Sequence, residues 1–201
     1  MELLYGMDPL CGWCFGIGPA LRQVMDDHPD LRVTPVLAGL VAGDRIGPYA
    51  QMESYIRGAS QRLEAVTGRA PSPAFYDLIR RPGVTGNSGP PSVAIAAMRA
   101  AQPDRAADFA LRVTEAHFAE GADLGQPDIY HEILTRMGLT LDLPDLPDEH
   151  LALTAWAEGR AMGLNSFPTL WLRGMGELVN VPLSYQPQHL SSEIGRLRRR
   201  A

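Results

Sequence analysis

Two cysteines, Cys11 and Cys14, are the only ones in the chain, and Gly12 and Trp13 alone separate them. A pair spaced this way can act as a two-electron switch, cycling between a dithiol and a small intrachain disulfide. The apolar run Leu3-Leu4-Tyr5 precedes the pair, and Phe15-Gly16-Ile17-Gly18-Pro19-Ala20-Leu21 follows it. This reads as strand, tight turn, then helix, with Cys11 at the leading edge of the helix. A helix N-terminus presents unpaired N–H groups and a partial positive charge. A thiolate is stabilised there, and thiolate is the form that attacks a disulfide. Cys14 lies about one turn deeper on the same face, where it can attack the first sulfur and close the ring.

Two blander uses compete. Free cysteines are often plain core residues, but the strand–turn–helix setting favours redox chemistry. A structural zinc site wants four ligands. There is no second cysteine pair, and the nearest histidine beyond the motif, His28, stands fourteen residues past Cys14. No metal site is therefore expected.

The chain of 201 residues is long enough to bury a sizeable core, as one domain or as a domain with an insertion. Its 45% hydrophobic and 20% charged content is ordinary for a globular protein. A net charge of −5 gives no basic face for nucleic acid. All 18 basic residues are arginine, so no lysine can act as a base or Schiff-base nucleophile. No stretch approaches the ~20 apolar residues of a membrane span. The first residues lead straight into a strand without a secretory pattern. With only two cysteines, the reducing cytoplasm is the expected compartment.

The elements that must position the pair follow from periodicity and breakers. Glu2 to Met7 is a buried strand. The helix after Cys11 carries Ile17, Leu21, Val24 and Met25 at helical spacing, and Pro19 inside it should kink it by removing the bond to the Phe15 carbonyl. Leu31 to Gly39 is a second strand, whose Pro35 suits an edge or a bulge. Helices are predicted over Tyr49 to Val66, Ser72 to Ile79, Ser92 to Ala101, Asp104 to Phe118 and Asp128 to Met137. Pro71-Ser72-Pro73, Arg81-Pro82-Gly83, Gly89-Pro90-Pro91 and Gln102-Pro103-Asp104 separate them. A block this long is an inserted helical subdomain rather than a loop. A linker at 142–147 leads to a helix ending near Met162 and Gly163. Phe167 to Leu172 and Glu177 to Val181 form a hairpin through Gly174-Met175-Gly176. A last helix, about Gln188 to Arg199, ends in Arg198-Arg199-Arg200, which complement its negative end.

With Cys11-Gly12-Trp13-Cys14 after the first strand and Ser166-Phe167-Pro168-Thr169 before the third, the sequence resembles the DsbA-like thioredoxin-fold oxidoreductases. Within them it is similar to the cytoplasmic branch that includes FrnE-type proteins. The segments His117-Phe118-Ala119-Glu120-Gly121 and Met137-Gly138-Leu139 resemble that branch's helical insertion. The resemblance implies an α/β thioredoxin fold with an inserted all-helical subdomain. Residues 1–42 and 143–201 would form the discontinuous thioredoxin-like domain, and 43–142 the insertion. It implies a disulfide reductase or isomerase with Cys11 and Cys14 as catalytic residues and redox disulfide, and with Trp13, Phe167 and Pro168 at the substrate. It also implies that the bond before Pro168 is cis and lies against the cysteines. Phe167 is bulkier than the residue common at that place, and Trp13 stands where many oxidising relatives carry histidine. No cofactor is implied. The partner is a disulfide-containing protein or a small thiol, and the oligomeric state stays open.

Asp8 either caps the turn or handles protons near Cys14. His117 and His131 fall on predicted helices, in core or surface roles. Gly16-Ile17-Gly18 is an incomplete nucleotide fingerprint. Two other functions are compatible with the architecture. One is a glutathione-dependent isomerase or transferase of the kappa-class or hydroxychromene-carboxylate isomerase type, whose members generally carry serine at the place of Cys11. The other is a non-enzymatic holdase.

Overall fold

A computed structural model describes residues 1–174 and 176–199 of the chain. The expected turn at Gly174-Met175-Gly176 and the terminal arginine run each include a residue outside that description, Met175 and Arg200. Strand β1 (Glu2–Met7) leads to two helices, α1 (Gly12–Gly16) and α2 (Gly18–Asp27), and then to β2 (Arg32–Leu37). The single helix expected here is broken at Ile17, where φ is −78° and ψ is −10°. Pro19 consequently falls in the first turn of α2, where it costs α2 itself no hydrogen bond.

The middle of the chain forms β3 (Gly47–Pro48), α3 (Glu53–Thr67), α4 (Pro73–Arg80), β4 (Thr85–Gly86), α5 (Gly89–Ala101), α6 (Ala106–Phe118) and α7 (Pro127–Arg136). Two features depart from the sequence reading. The block expected to be all helical carries a small antiparallel ladder, with Gly47 opposite Gly86 and Pro48 opposite Thr85. Gly89-Pro90-Pro91 opens α5 instead of separating helices, because the first-turn N–H groups that proline lacks have no intrahelical partner anyway.

The chain then forms α8 (Glu149–Ala155), α9 (Ala157–Ala161), β5 (Thr169–Arg173), β6 (Leu178–Asn180) and α10 (Pro187–Arg198). Asp148 caps α8, accepting the N–H groups of His150 at 2.7 Å and Leu151 at 3.1 Å. The single helix expected to reach Met162 is interrupted at Trp156, whose indole N–H donates to Ser92 Oγ at 2.9 Å in the core. The break lets the indole reach α5.

Four strands make one sheet in the order β2-β1-β5-β6. β1 runs parallel to β2, with Glu2 opposite Arg32 and Met7 opposite Leu37. It runs antiparallel to β5, with Glu2 opposite Arg173 and Gly6 opposite Thr169. Its central place explains why its residues after Glu2 are all buried. β2 lies at the edge, where Pro35 needs no ladder partner on its outer side. The main core joins Tyr5, Leu21 and Leu172 around the sheet to Ile95, Met98 and Phe109 of α5 and α6. A second cluster packs Phe15 of α1 against Leu63, Phe75 and Phe118.

Gly159 of α9 fits closely under β2, since a Cβ there would lie 2.2 Å from the Leu37 carbonyl oxygen. Gly159→Ala is expected to lower stability by about 1–3 kcal/mol, because backbone must move to admit the methyl. A urea midpoint unchanged from wild type would show that α9 shifts freely.

Candidate active site

The turn after β1 places the cysteines. Asp8 Oδ1 accepts the Leu10 N–H at 2.9 Å, and the Asp8 carbonyl accepts the Cys11 N–H at 3.1 Å. These bonds bend the chain into a side-chain-capped turn and set Cys11 at the N-cap of α1. Cys11 there has extended dihedrals, φ −86° and ψ 113°. Its carbonyl accepts the N–H groups of Cys14 at 3.0 Å and Phe15 at 3.1 Å. Both cysteines are free thiols. Cys11 is 6% exposed and Cys14 is 0% exposed, so a reactant reaches the first sulfur before the second.

The chain segment before β5 closes over this helix end. Phe167-Pro168 is a cis peptide bond, as the resemblance implies. The Cys11 thiol donates toward the Phe167 carbonyl oxygen at 3.7 Å, within the longer reach of sulfur. Pro168 is buried, and Phe167 is half-buried and packs against the main core. Trp13 is half-buried as well. Its ring lies against Tyr185, with centroids 5.8 Å apart and planes at 47°. The structure thus sets Cys11, Cys14 and the Phe167 carbonyl together, with Trp13 on the flank.

Sequence reasoning missed Tyr185. It belongs to the stretch before α10 and carries no local pattern that marks it; only the fold brings it to the pair. Burial, and then the charges of Cys14 and Cys11, push its hydroxyl up to about 12. Burial also pushes the Cys14 thiol well above its ordinary range, and its bond and charge interaction with Cys11 add to this. Cys14 therefore keeps its proton near neutrality while Cys11 meets the reactant. Tyr5, behind the pair in β1, donates to the Cys14 carbonyl at 3.2 Å.

Asp8 is fully buried. Besides Leu10, it accepts the Ser88 hydroxyl at 3.0 Å on Oδ1 and the Leu40 N–H at 2.8 Å on Oδ2. Burial outweighs these bonds and raises its carboxyl to about 6. The turn-capping role is the one its contacts display, and it extends to Ser88 at the start of α5. His117 proves to be a core residue. Its Nδ1 faces the Ala122 carbonyl at 2.9 Å and its Nε2 the Tyr49 hydroxyl at 3.1 Å. This assigns the proton to Nδ1 and the acceptor role to Nε2. Burial lowers the ring to about 4 and keeps it neutral. Among the described residues, no three His, Cys, Asp or Glu side chains converge to hold a metal ion.

No protein-family model and no curated protein matches the sequence. Solved structures resemble it over nearly the whole chain. The cytosolic disulfide reductase DsbM from Pseudomonas aeruginosa superposes with a TM-score of 0.81 at 24% identity, covering 100% of both chains. A candidate protein disulfide isomerase from Nitrosomonas europaea gives 0.76 at 16% identity, covering 99% of this chain and 98% of that one. A 2-hydroxychromene-2-carboxylate isomerase gives 0.60 at 17% identity, covering 100% and 97%. The overall architecture is that of these proteins, and the chain has the DsbA-like thioredoxin fold.

Proposed function

We propose that the chain is a thiol–disulfide oxidoreductase that reduces or isomerises disulfides of proteins or small thiols through Cys11 and Cys14. The observation that carries this reading is the arrangement of the pair. Cys11 stands at the N-cap of α1 and keeps a small exposure of 6%, and Cys14 lies fully buried in the next turn. The Phe167 carbonyl beside Cys11 offers an acceptor for the backbone N–H of a bound peptide. The half-buried Trp13 and Phe167 offer apolar contact.

Cys11 as thiolate attacks one sulfur of the substrate disulfide, and the other substrate sulfur leaves as thiolate. This gives a mixed disulfide on Cys11. Cys14 then loses its proton and attacks the Cys11 sulfur, releasing the second substrate thiolate. The Cys11–Cys14 disulfide holds the oxidation, and the substrate has gained two electrons. Two equivalents of an external thiol such as glutathione reverse the last bond and restore the dithiol. The chemistry requires no cofactor. A reducing compartment drives it towards reduction, and the cytoplasm is the location that suits it. No helix among the described residues is long and apolar enough to cross a membrane.

DsbM has also been solved with GSH, at a TM-score of 0.75 and 22% identity. That supports glutathione as the recycling thiol here. The likeness to the chromene-carboxylate isomerase supports a second reading, glutathione-dependent isomerisation without dithiol cycling. The presence of both sulfurs at the site favours the first.

Equilibration against glutathione redox buffers separates the two. The pair is expected to titrate as one two-electron couple at a potential more reducing than the roughly −120 mV of strongly oxidising relatives, since position 13 carries no imidazolium. Trp13→His should move the couple in the oxidising direction. A protein that forms no intrachain disulfide in any buffer would remove the oxidoreductase reading.

A further inference from the structure

The helix that carries the cysteines is five residues long, and its far end has a missing donor. In a continuous helix the N–H of residue 19 would bond the Phe15 carbonyl, but residue 19 is proline. The Ile17 N–H bonds the Trp13 carbonyl at 3.1 Å and is shared with the Phe15 carbonyl, which leaves that oxygen without a donor of its own from the next turn. A side chain from far along the chain fills the place. Arg69 Nη1 donates to the Phe15 carbonyl at 2.7 Å. The same guanidinium lies over the Phe15 ring, 3.7 Å from its centroid. Its Nη2 reaches both carboxylate oxygens of Glu115 on α6 at 2.9 Å.

The Arg69 backbone is also held from its own side. Gly68, at φ +70°, ends α3 and turns the chain toward α1. Thr67 Oγ1 accepts the Arg69 N–H at 3.1 Å and donates to the Leu63 carbonyl at 2.8 Å. α3 packs against the face of α1 that carries Gly12 and Gly16, and Gly16 is the one its close approach requires. A Cβ on Gly12 would meet Leu63 at 3.5 Å, and one on Gly16 would meet Leu63 at 2.8 Å and Thr67 at 3.0 Å. Gly18 lies beside the guanidinium, where a Cβ would be in ordinary contact at 3.4 Å from Arg69 Nη1.

We infer that Arg69 is a positioning residue for the redox pair, its guanidinium replacing the N–H that Pro19 lacks and so holding α1 with Cys11 at its N-cap. A helix this short has few bonds of its own and frays readily. The Cys14 and Phe15 N–H groups, which bond the Cys11 carbonyl and set the helix end beneath it, stay aligned only while the helix holds. Glu115 balances the arginine's charge, so the effect on Cys11 is chiefly one of order, with a favourable cation at the helix C-terminus added. The inference rests on the oxidoreductase reading above and names what sets that site's reactivity.

Iodoacetamide alkylation of Cys11 and equilibration with glutathione, both on folded protein, test it. Arg69→Ala should slow alkylation about threefold to tenfold, the size of a helix-end interaction. It should also shift the glutathione equilibrium toward the intrachain disulfide by a similar factor. Arg69→Lys keeps the cation without the fork and should recover part of the loss. Pro19→Ala restores an N–H able to reach Phe15, so Arg69→Ala should cost clearly less in that background. Glu115→Gln, useful if Arg69→Ala does not fold, should change both readouts in the same direction by a smaller factor. An Arg69→Ala protein that is less stable yet alkylates at the wild-type rate would overturn the inference. So would a loss of equal size with and without Pro19, or a Glu115→Gln protein with unchanged readouts. If wild-type Cys11 is itself inert to alkylation and to glutathione, the oxidoreductase reading fails instead.

Discussion

Cys11→Ser is expected to abolish catalysed disulfide reduction, a loss on the order of 10³-fold or more. A serine hydroxyl is not ionised at neutral pH and does not attack sulfur, and the remaining thiol cannot substitute for it. Cys14 is fully buried, and its thiol is held well above the ordinary range by that burial. Cys14→Ser should leave the first step intact and remove the second. Incubated with oxidised glutathione, it is expected to accumulate one disulfide-bound glutathione on Cys11, visible by intact mass and absent in Cys11→Ser. An adduct on Cys14 in the Cys11→Ser protein would reverse the two roles. Turnover that survives Cys11→Ser would leave the glutathione-only reading standing, and a wild type without turnover the non-enzymatic one.

Stability should show an unusual balance between pH 4 and 6.5, because two fully buried groups pull in opposite directions. Asp8 has a carboxyl near 6 in the fold against 3.8 when unfolded. Its contribution is fully present below the lower value and is lost as pH rises through about 6, an amount of about 3 kcal/mol. His117 has a ring near 4 in the fold against 6.5 when unfolded. Its contribution is present above 6.5 and is lost as pH falls through about 4, again about 3 kcal/mol. Together they leave the wild type nearly flat across this window. Asp8→Asn removes one arm, so the variant should lose about 3 kcal/mol on going from pH 6.5 to 4, read from urea midpoints. His117→Phe removes the other and should instead gain stability over the same fall. The amide introduced by Asp8→Asn would turn its NH2 group toward an N–H that it cannot accept, which lowers stability at every pH; the slope is the measurement. Identical slopes in wild type and Asp8→Asn would show that Asp8 does not titrate in the fold. The carboxylates of Asp27, Asp30 and Glu53, lowered by hydrogen bonds to Ser191, Arg198 and Arg80 respectively, begin to lose their contribution at the acid end of this window, near their ordinary values of 3.8 and 4.5, and lose the rest below it in wild type and variants alike.

Much of this architecture is written in local pattern. An unbroken apolar run such as Leu3-Leu4-Tyr5 must be buried on both faces, and β1 is indeed flanked by two strands. Pro35 excludes its strand from the sheet's interior, and β2 lies at the edge. The spacing of Cys11 and Cys14 after that first strand locates the candidate site, and Gly163 marks a helix end by its own chemistry. These features depend on residues a few positions apart, so periodicity, proline and glycine express them directly. Other features depend on partners that chain order hides. Gly89-Pro90-Pro91 reads as a breaker until the fold places it in a first turn. The helix to Met162 reads as continuous until Trp156 turns inward to meet Ser92. Tyr185 reaches Trp13, Ser88 reaches Asp8 and Arg69 reaches Phe15 from positions far away in sequence. A missing N–H at Pro19 is legible from the residue type alone. Which side chain replaces it depends on how α3 lies against α1, where Leu63 and Thr67 pack on Gly16, and no local period specifies that.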